Sequence, residues 1–90
     1  VQVVDVREPE EFDGILGHIE GATLIPLGEL KQRASELDPA RPVVTVCRSG
    51  ARCAQAAVML DKEGFGKVAN LAGGMLRWRA QRLPVEGLHA

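Results

Sequence analysis

A seven-residue segment, Cys47-Arg48-Ser49-Gly50-Ala51-Arg52-Cys53, carries the groups in this sequence that are best suited to chemistry. The β-branched run before it (43–46) predicts a buried strand, and the residues after it (51–63) predict a helix. Ligands of parallel α/β sheets bind beyond the carboxyl ends of the strands, and a helix N-terminus offers unpaired N–H groups with a positive partial charge. A cysteine at this turn, beside two arginines, is therefore expected to have a lowered pKa and to be largely thiolate.

The composition of this loop predicts what such a thiolate would attack. Ser49 and Gly50 are compact, so the backbone can curl around the sulfur with its N–H groups pointing inwards. A thiolate at Cys47, an anion cradle and the guanidinium groups of Arg48 and Arg52 predict nucleophilic attack on a small anionic substrate. The alternative is a cysteine that is simply a small buried apolar residue, with arginines that are solvated surface charges. The cationic neighbours favour the reactive interpretation, because an apolar core cysteine gains nothing from them.

The elements that position this loop follow from the hydrophobic pattern. Strands alternate with helices, which predicts right-handed crossovers and a parallel sheet covered by helices on both faces. In the helix at 51–63, Ala54, Ala57 and Val58 are predicted to share the face that approaches the sheet. The predicted strands are 1–6, 22–25, 43–46 and 67–71, and the predicted helices are a short one after Pro9 and those at 28–37, 51–63 and 75–81.

Composition limits the class of protein. With 90 residues, 46% of them hydrophobic, the chain is long enough for one packed domain and too short for two. Its 11 basic and 12 acidic residues give a formal charge of −1, which predicts no nucleic-acid or membrane partner. Two cysteines and two histidines without zinc-finger spacing predict no metal site. No basic segment followed by an apolar one is visible at the start of the sequence, so no secretory signal peptide is predicted and we expect a cytoplasmic protein. Because the chain begins inside a predicted strand, the question of a signal peptide removed from a longer precursor stays open.

Four motifs in order resemble the rhodanese domain family over essentially the whole chain. A single one of these motifs would be a weak signal, but four in the family's order are a strong one. They are Asp5-Val6-Arg7-Glu8-Pro9-Glu10-Glu11-Phe12, Gly17-His18-Ile19-Glu20-Gly21-Ala22 with Ile25-Pro26-Leu27, Cys47-Arg48-Ser49-Gly50-Ala51-Arg52, and Asn70-Leu71-Ala72-Gly73-Gly74-Met75 with Trp78.

The resemblance implies a rhodanese-like domain over 1–90, with a five-stranded, mostly parallel sheet flanked by helices, and no cofactor. It also implies transfer of sulfane sulfur from thiosulfate or a persulfide to cyanide, a thiol or an acceptor protein. Carried over to this sequence, Cys47 is the persulfide-bearing catalytic nucleophile. The backbone of Arg48, Ser49, Gly50, Ala51 and Arg52 cradles the outer sulfur, and the two arginine side chains are candidates for holding an anionic donor.

Two departures from the family pattern bear on these expectations. Rhodanese domains usually have a helix and a short strand before the motif that here begins at Val1, and this sequence has no counterpart to them. We therefore expect a domain that is shorter than usual at its N-terminus, and a domain of a larger protein is an open alternative. Cys53 stands where Ser or Thr is more usual, so that either a redox role or a simple replacement of a capping residue stays open. We favour the simple replacement.

Two rival functions are weighed against sulfur transfer. One is a non-catalytic or sulfur-relay module attached to a partner enzyme. The other is a phosphatase or arsenate reductase on the same fold. Phosphatases of this fold have five residues between the nucleophilic cysteine and the oxyanion-binding arginine, whereas four separate Cys47 from Arg52. The shorter loop predicts selectivity for sulfur over phosphate and arsenate.

Four further polar residues are expected to be structural rather than catalytic. The resemblance makes Asp5 and Arg7 a pair that ties neighbouring loops together by hydrogen bonds. His18, between glycine and isoleucine, is expected to be a hydrogen-bonded packing residue rather than a proton shuttle. His89, in the C-terminal tail, is expected to have no role.

Overall fold

The β-branched segments of the sequence form a parallel sheet in the computed structural model, which describes residues 1–86. The sheet is flanked by helices, so the predicted α/β fold is confirmed. The described residues form four strands where the resemblance implies five. The strands are β1 (Gln2–Asp5), β2 (Thr23–Leu24), β3 (Val43–Val46) and β4 (Val68–Asn70), in the spatial order β2-β1-β3-β4.

The two central strands carry the apolar side chains that the β-branched pattern predicts. Val4 of β1 and Val43 and Val46 of β3 are at most 1% exposed. β1 and β3 are paired in parallel along their whole length, from Gln2 opposite Val43 to Asp5 opposite Val46. The carboxyl ends of both strands therefore lie at the same edge of the sheet, where ligands of parallel sheets bind.

The helices match the predicted order but not every predicted boundary. The predicted continuous helix at 28–37 is wrong, because this segment has a single α-helical turn, α2 (Leu30–Arg33), between two 3₁₀ turns at Leu27–Glu29 and Ala34–Glu36. The apolar face is nevertheless as expected, since Leu30 and Leu37 are buried. Turns closed by i→i+3 hydrogen bonds are common at helix ends, and here they leave the apolar side chains facing the core. The helices are α1 (Pro9–Phe12), α2 (Leu30–Arg33), α3 (Ala51–Lys62) and α4 (Gly74–Ala80).

The face of α3 that meets the sheet differs from the prediction. Cys53, Ala56 and Leu60 are 0% exposed, whereas Ala54 is exposed and Val58 is 55% exposed. Both sets have helical spacing, so periodicity alone does not choose between them. Burial of the larger Leu60 side chain excludes more apolar surface from water than burial of alanines, and α3 packs with that face against β3 and β4.

The C-terminal segment returns to the loop after α1. Glu86 forms an antiparallel bridge with His18, and the Trp78 indole N–H donates to the carbonyl of Pro84 (2.8 Å). His89 lies outside the described residues. No helix within residues 1–86 has the length and apolar character needed to cross a membrane.

Candidate active site

The loop from Cys47 to Gly50 leaves the carboxyl end of β3 and leads directly into α3. All six residues predicted for the site, Cys47 to Arg52, lie in this loop or in the first two positions of the helix. Gly50 precedes the helix with φ +116, a left-handed conformation that glycine adopts without a steric penalty. Ala51 then begins α3, so the helix N-terminus faces the loop as predicted.

The N-terminus of α4 binds two carbonyl groups of the loop, those of Cys47 and Arg48. The N–H of Met75 donates to the carbonyl of Cys47 (2.8 Å), and the N–H of Leu76 donates to the carbonyl of Arg48 (3.0 Å). Gly74 makes this approach possible, because a Cβ there would lie 2.4 Å from the Cys47 carbonyl oxygen and 2.6 Å from that of Arg48. With these carbonyls bound to α4, the N–H groups of the loop are left to face its interior.

The Cys47 sulfur lies within this ring of donors and is almost entirely buried. Cys47 is 1% exposed, and the N–H of Gly50 donates a hydrogen bond to its Sγ at 3.0 Å. Burial raises the pKa of this thiol, but hydrogen bonds from the backbone N–H and the thiol of Cys53, and from the N–H groups of Gly50 and Ser49, outweigh it. The net effect is a lowered pKa, as the sequence predicted.

The groups that lower this pKa are only in part the expected ones. The N–H groups at the helix N-terminus were expected to act together with the two arginines, whereas the backbone N–H groups of the loop and the thiol of Cys53 are the dominant stabilising groups. Hydrogen bonds to an ionised group are the stronger kind, and they require no mobile side chain to be ordered. The backbone N–H groups of the loop therefore contribute most of the stabilisation of the Cys47 thiolate relative to its thiol.

Cys53 is the partner thiol and stays protonated. Burial and the hydrogen bond and negative charge of the neighbouring Cys47 raise the pKa of the Cys53 thiol to about 11. Its sulfur also lies 3.1 Å from the carbonyl oxygen of Gly50, so its one S–H proton has two acceptors within reach, this oxygen and the Cys47 sulfur. Both cysteines are free thiols. The two thiols thus differ in acidity, with the pKa of Cys47 lowered and that of Cys53 raised.

The two arginines of the segment have different environments. Arg52 forms a two-pronged ion pair with Glu11 of α1, with N–O distances of 2.6 and 2.8 Å. The hydrogen bond from Arg52 lowers the pKa of the Glu11 carboxyl to about 2. Arg48 is exposed and makes no side-chain hydrogen bond to another residue in the described part of the chain. Arg48 is therefore the guanidinium of this loop that is available to an incoming anion.

Asp5, Arg7 and His18 make the structural contacts predicted for them. Arg7 is buried and forms a two-pronged bond with Asp5, with its Nη2 2.7 Å from Oδ2. Its guanidinium also donates to the carbonyls of Glu11 (3.1 Å) and Gly17 (2.7 Å), and so ties β1 to α1 and the following turn. His18 stacks on the Phe12 ring, with centroids 3.7 Å apart. Its Nδ1 lies 2.9 Å from the Phe12 carbonyl, which can only accept, so Nδ1 carries the proton.

Sequence reasoning missed two residues of the site. In the sequence analysis, Glu11 and Gly74 stand only as members of the first and the last family motif. Glu11 is 41 residues from Arg52 in the chain, so local patterns carry no signal for their pairing. The Gly73-Gly74 pair did carry a signal for Gly74, since adjacent glycines are typical where backbones approach closely.

A family model described as "Rhodanese-like domain" matches residues 1–81. A Bacillus subtilis relative named "Uncharacterized protein YqhL" is 47% identical over 77 residues, which are 86% of this chain and 60% of that protein. An Allochromatium vinosum relative named "Sulfurtransferase" is 41% identical over 85 residues, which are 94% of this chain and 78% of that protein. The chain thus spans less than two thirds of the first relative and more than three quarters of the second.

A solved structure of a related protein has the same fold. The crystal structure of a rhodanese-related protein from Thermoplasma volcanium superimposes with a TM-score of 0.87 at 31% sequence identity. The superposition covers 96% of this chain and 83% of that one. Fold and sequence comparison therefore point to the same family.

Proposed function

Since the chain belongs to the rhodanese-like domain family, we propose that it is a sulfurtransferase in which Cys47 carries sulfane sulfur as a persulfide. The donor is thiosulfate or a persulfide, and the acceptor is cyanide, a thiol or a sulfur-acceptor protein. The name of the Allochromatium vinosum relative supports this class of activity. The observation that carries the proposal is the convergence of loop N–H groups on the buried Cys47 sulfur at the carboxyl edge of a parallel sheet.

The proposed reaction has two displacement steps at sulfur. The Cys47 thiolate attacks the outer sulfur of thiosulfate, a new S–S bond forms, and sulfite leaves with the electron pair of the broken S–S bond. A thiolate or cyanide acceptor then attacks the outer sulfur of the Cys47 persulfide, and Cys47 leaves as thiolate. No net oxidation is needed, because the sulfane sulfur is passed on at the same oxidation level. With a persulfide donor, a thiolate leaves in place of sulfite.

The loop residues have distinct roles in this proposal. The backbone from Arg48 to Arg52, including Ser49, Gly50 and Ala51, cradles the outer sulfur of the persulfide anion. Because the anion is held by preformed N–H groups, its formation requires little reorganisation of the protein. The exposed Arg48 guanidinium is the group that binds an anionic donor. We assign no metal or cofactor to the reaction, since thiolate and persulfide supply all of its chemistry.

The environment of Arg52 supports sulfur transfer over phosphoryl transfer. Phosphoryl transfer relies on two-pronged guanidinium contacts to the oxyanion. Both terminal nitrogens of the Arg52 guanidinium, Nη1 and Nη2, donate to the carboxylate of Glu11. The loop also has one residue fewer than the phosphatase loop, so its N–H groups converge on one sulfur atom. We therefore expect no appreciable hydrolysis of aryl phosphates and no arsenate reduction.

Intact mass spectrometry tests the proposal directly. Incubation with thiosulfate or a low-molecular-weight persulfide should add one sulfur atom (about 32 Da) that cyanide or a reductant removes, as expected for a thiolate nucleophile. Cys47→Ser should lose both the adduct and turnover. Cys53→Ser, the matched control at the other thiol, should keep the adduct. Full turnover by the Cys47→Ser protein would show that the assignment is wrong.

A sulfur-relay module is the alternative within the same chemistry. Such a module would hold the same Cys47 persulfide but deliver it to a protein rather than to a small acceptor. The two are distinguished by turnover, because a relay loads with sulfur stoichiometrically and releases it slowly to cyanide and small thiols. We favour the enzyme, because the site is open to small donors through the exposed residues Arg48 and Ser49.

A further inference from the structure

The ion pair between Glu11 and Arg52 is built into the frame of the site. Glu11 is fixed from three directions: its side chain binds Arg52, its Oε1 accepts the N–H of Glu8 (3.0 Å), and its carbonyl accepts the buried Arg7 guanidinium (3.1 Å). The side chains of Arg52 and Glu11 are 36% and 29% exposed. The carboxylate is thus held rigidly beside the active-site loop and is still in contact with solvent.

This pairing changes the electrostatics that a donor meets. Arg52 follows the loop directly, and its positive charge interacts with the Cys47 thiolate. The Glu11 carboxylate cancels that charge, and with a pKa of about 2 it stays ionised through the neutral pH range. Of the two guanidinium groups in the segment, only that of Arg48 lacks a carboxylate partner in the described part of the chain. The segment therefore presents one unpaired positive charge to a donor, where the sequence implies two.

We propose that Glu11 is a specificity-determining residue, which directs the site away from thiosulfate and toward persulfide donors. Thiosulfate is a dianion, and its sulfonate group must be bound near the mouth of the loop while the outer sulfur reaches Cys47. Arg48 alone offers it one positive charge, and the Glu11 carboxylate repels it. A persulfide donor carries its negative charge on the terminal sulfur, which is the atom that the loop N–H groups receive. This inference rests on the proposed function, because it concerns the choice of donor for the Cys47 persulfide.

The test is a comparison of two donors in variants of the whole protein. The kcat/KM is measured for thiosulfate and for the persulfide of 2-mercaptoethanol, which has no charge outside its sulfur atoms. Glu11→Gln removes the charge while its amide oxygen can still accept the Glu8 N–H, since Gln serves at this capping position as well as Glu. We expect the ratio of thiosulfate to persulfide kcat/KM to rise about 3- to 30-fold, the Coulombic range for loss of one partly exposed unit charge.

The matched control is Glu10→Gln, which removes the same charge from the neighbouring exposed position of α1. Its ratio should equal that of the unmodified protein. If Glu11→Gln fails to fold, Glu11→Met is used, because Met removes the charge at a similar side-chain size; it too should raise the ratio. An unchanged ratio in the folded Glu11 variant would overturn the inference. Failure of the unmodified protein to take sulfur from either donor would instead refute the proposed function.

Discussion

Gly74 offers a sharp test of how the fold shapes the active-site loop. In Gly74→Ala, the new methyl group would lie 2.4 Å from the Cys47 carbonyl oxygen and 2.6 Å from the Arg48 carbonyl oxygen. These are backbone atoms, so they cannot turn aside as a flexible side chain would. The residue also has φ +57, which costs about 1–2 kcal/mol with a Cβ.

Relief of this clash requires α4 to move away from the loop. Two hydrogen bonds would then weaken, those from Met75 N–H to Cys47 and from Leu76 N–H to Arg48. At about 0.5–1.5 kcal/mol for each bond, and with the conformational cost of the left-handed backbone, we expect a loss of about 2–5 kcal/mol in the free energy of unfolding. The freed carbonyls would also let the loop N–H groups turn away from Cys47, so the pKa of Cys47 should rise.

Gly64→Ala is the matched control. Gly64 also has a positive φ (+95), but apart from its two chain neighbours no heavy atom of the described residues lies within 4 Å of the position of its Cβ. It should therefore lose only the conformational contribution, about 1–2 kcal/mol. Urea denaturation measures both losses, and the rate of Cys47 alkylation as a function of pH, followed by peptide mapping, measures the thiolate. Equal destabilisation of the two variants, with identical pH profiles for Cys47, would refute the reasoning.

Substitutions at two further residues, Cys53 and Arg7, test other parts of the site and the contacts that support it. Cys53→Ala removes a donor to the Cys47 thiolate and should shift the alkylation profile of Cys47 to higher pH, whereas Cys53→Ser keeps a donor and should leave sulfur transfer nearly unchanged; identical profiles for the two variants would contradict a donor role for the Cys53 thiol. After mild peroxide treatment, peptide mapping should find no Cys47–Cys53 disulfide in high yield, because the Cys53 thiol stays protonated and is a weak nucleophile. Arg7→Met leaves the buried Asp5 carboxylate without its partner and should cost about 3–5 kcal/mol in the free energy of unfolding. A smaller loss, close to that of a surface substitution, would show that water replaces the guanidinium.

The sequence alone was sufficient to predict the fold class and the place of the loop. A β-branched run ending at Val46, followed by Cys47 and a glycine, sufficed to place a thiol between a buried strand and a helix N-terminus. Local chemistry also sufficed for the lowered pKa of Cys47, because the loop N–H groups that stabilise its thiolate belong to Ser49, Gly50 and Cys53, within six residues of the sulfur. Such features depend on short-range geometry, which composition and spacing constrain strongly.

Tertiary structure decided the features that join distant segments. The face of α3 that is buried depends on how the whole helix packs, since two apolar sets share the same periodicity and only packing selects Leu60 over Val58. The pairing of Arg52 with Glu11 joins residues 41 positions apart, and it changes a site with two free guanidinium groups into one with a single unpaired cation. Sequence shows that both charges exist, but Coulomb interactions depend on distance in space, and that distance is known only once β1 and β3 are paired and α1 is placed beside the loop.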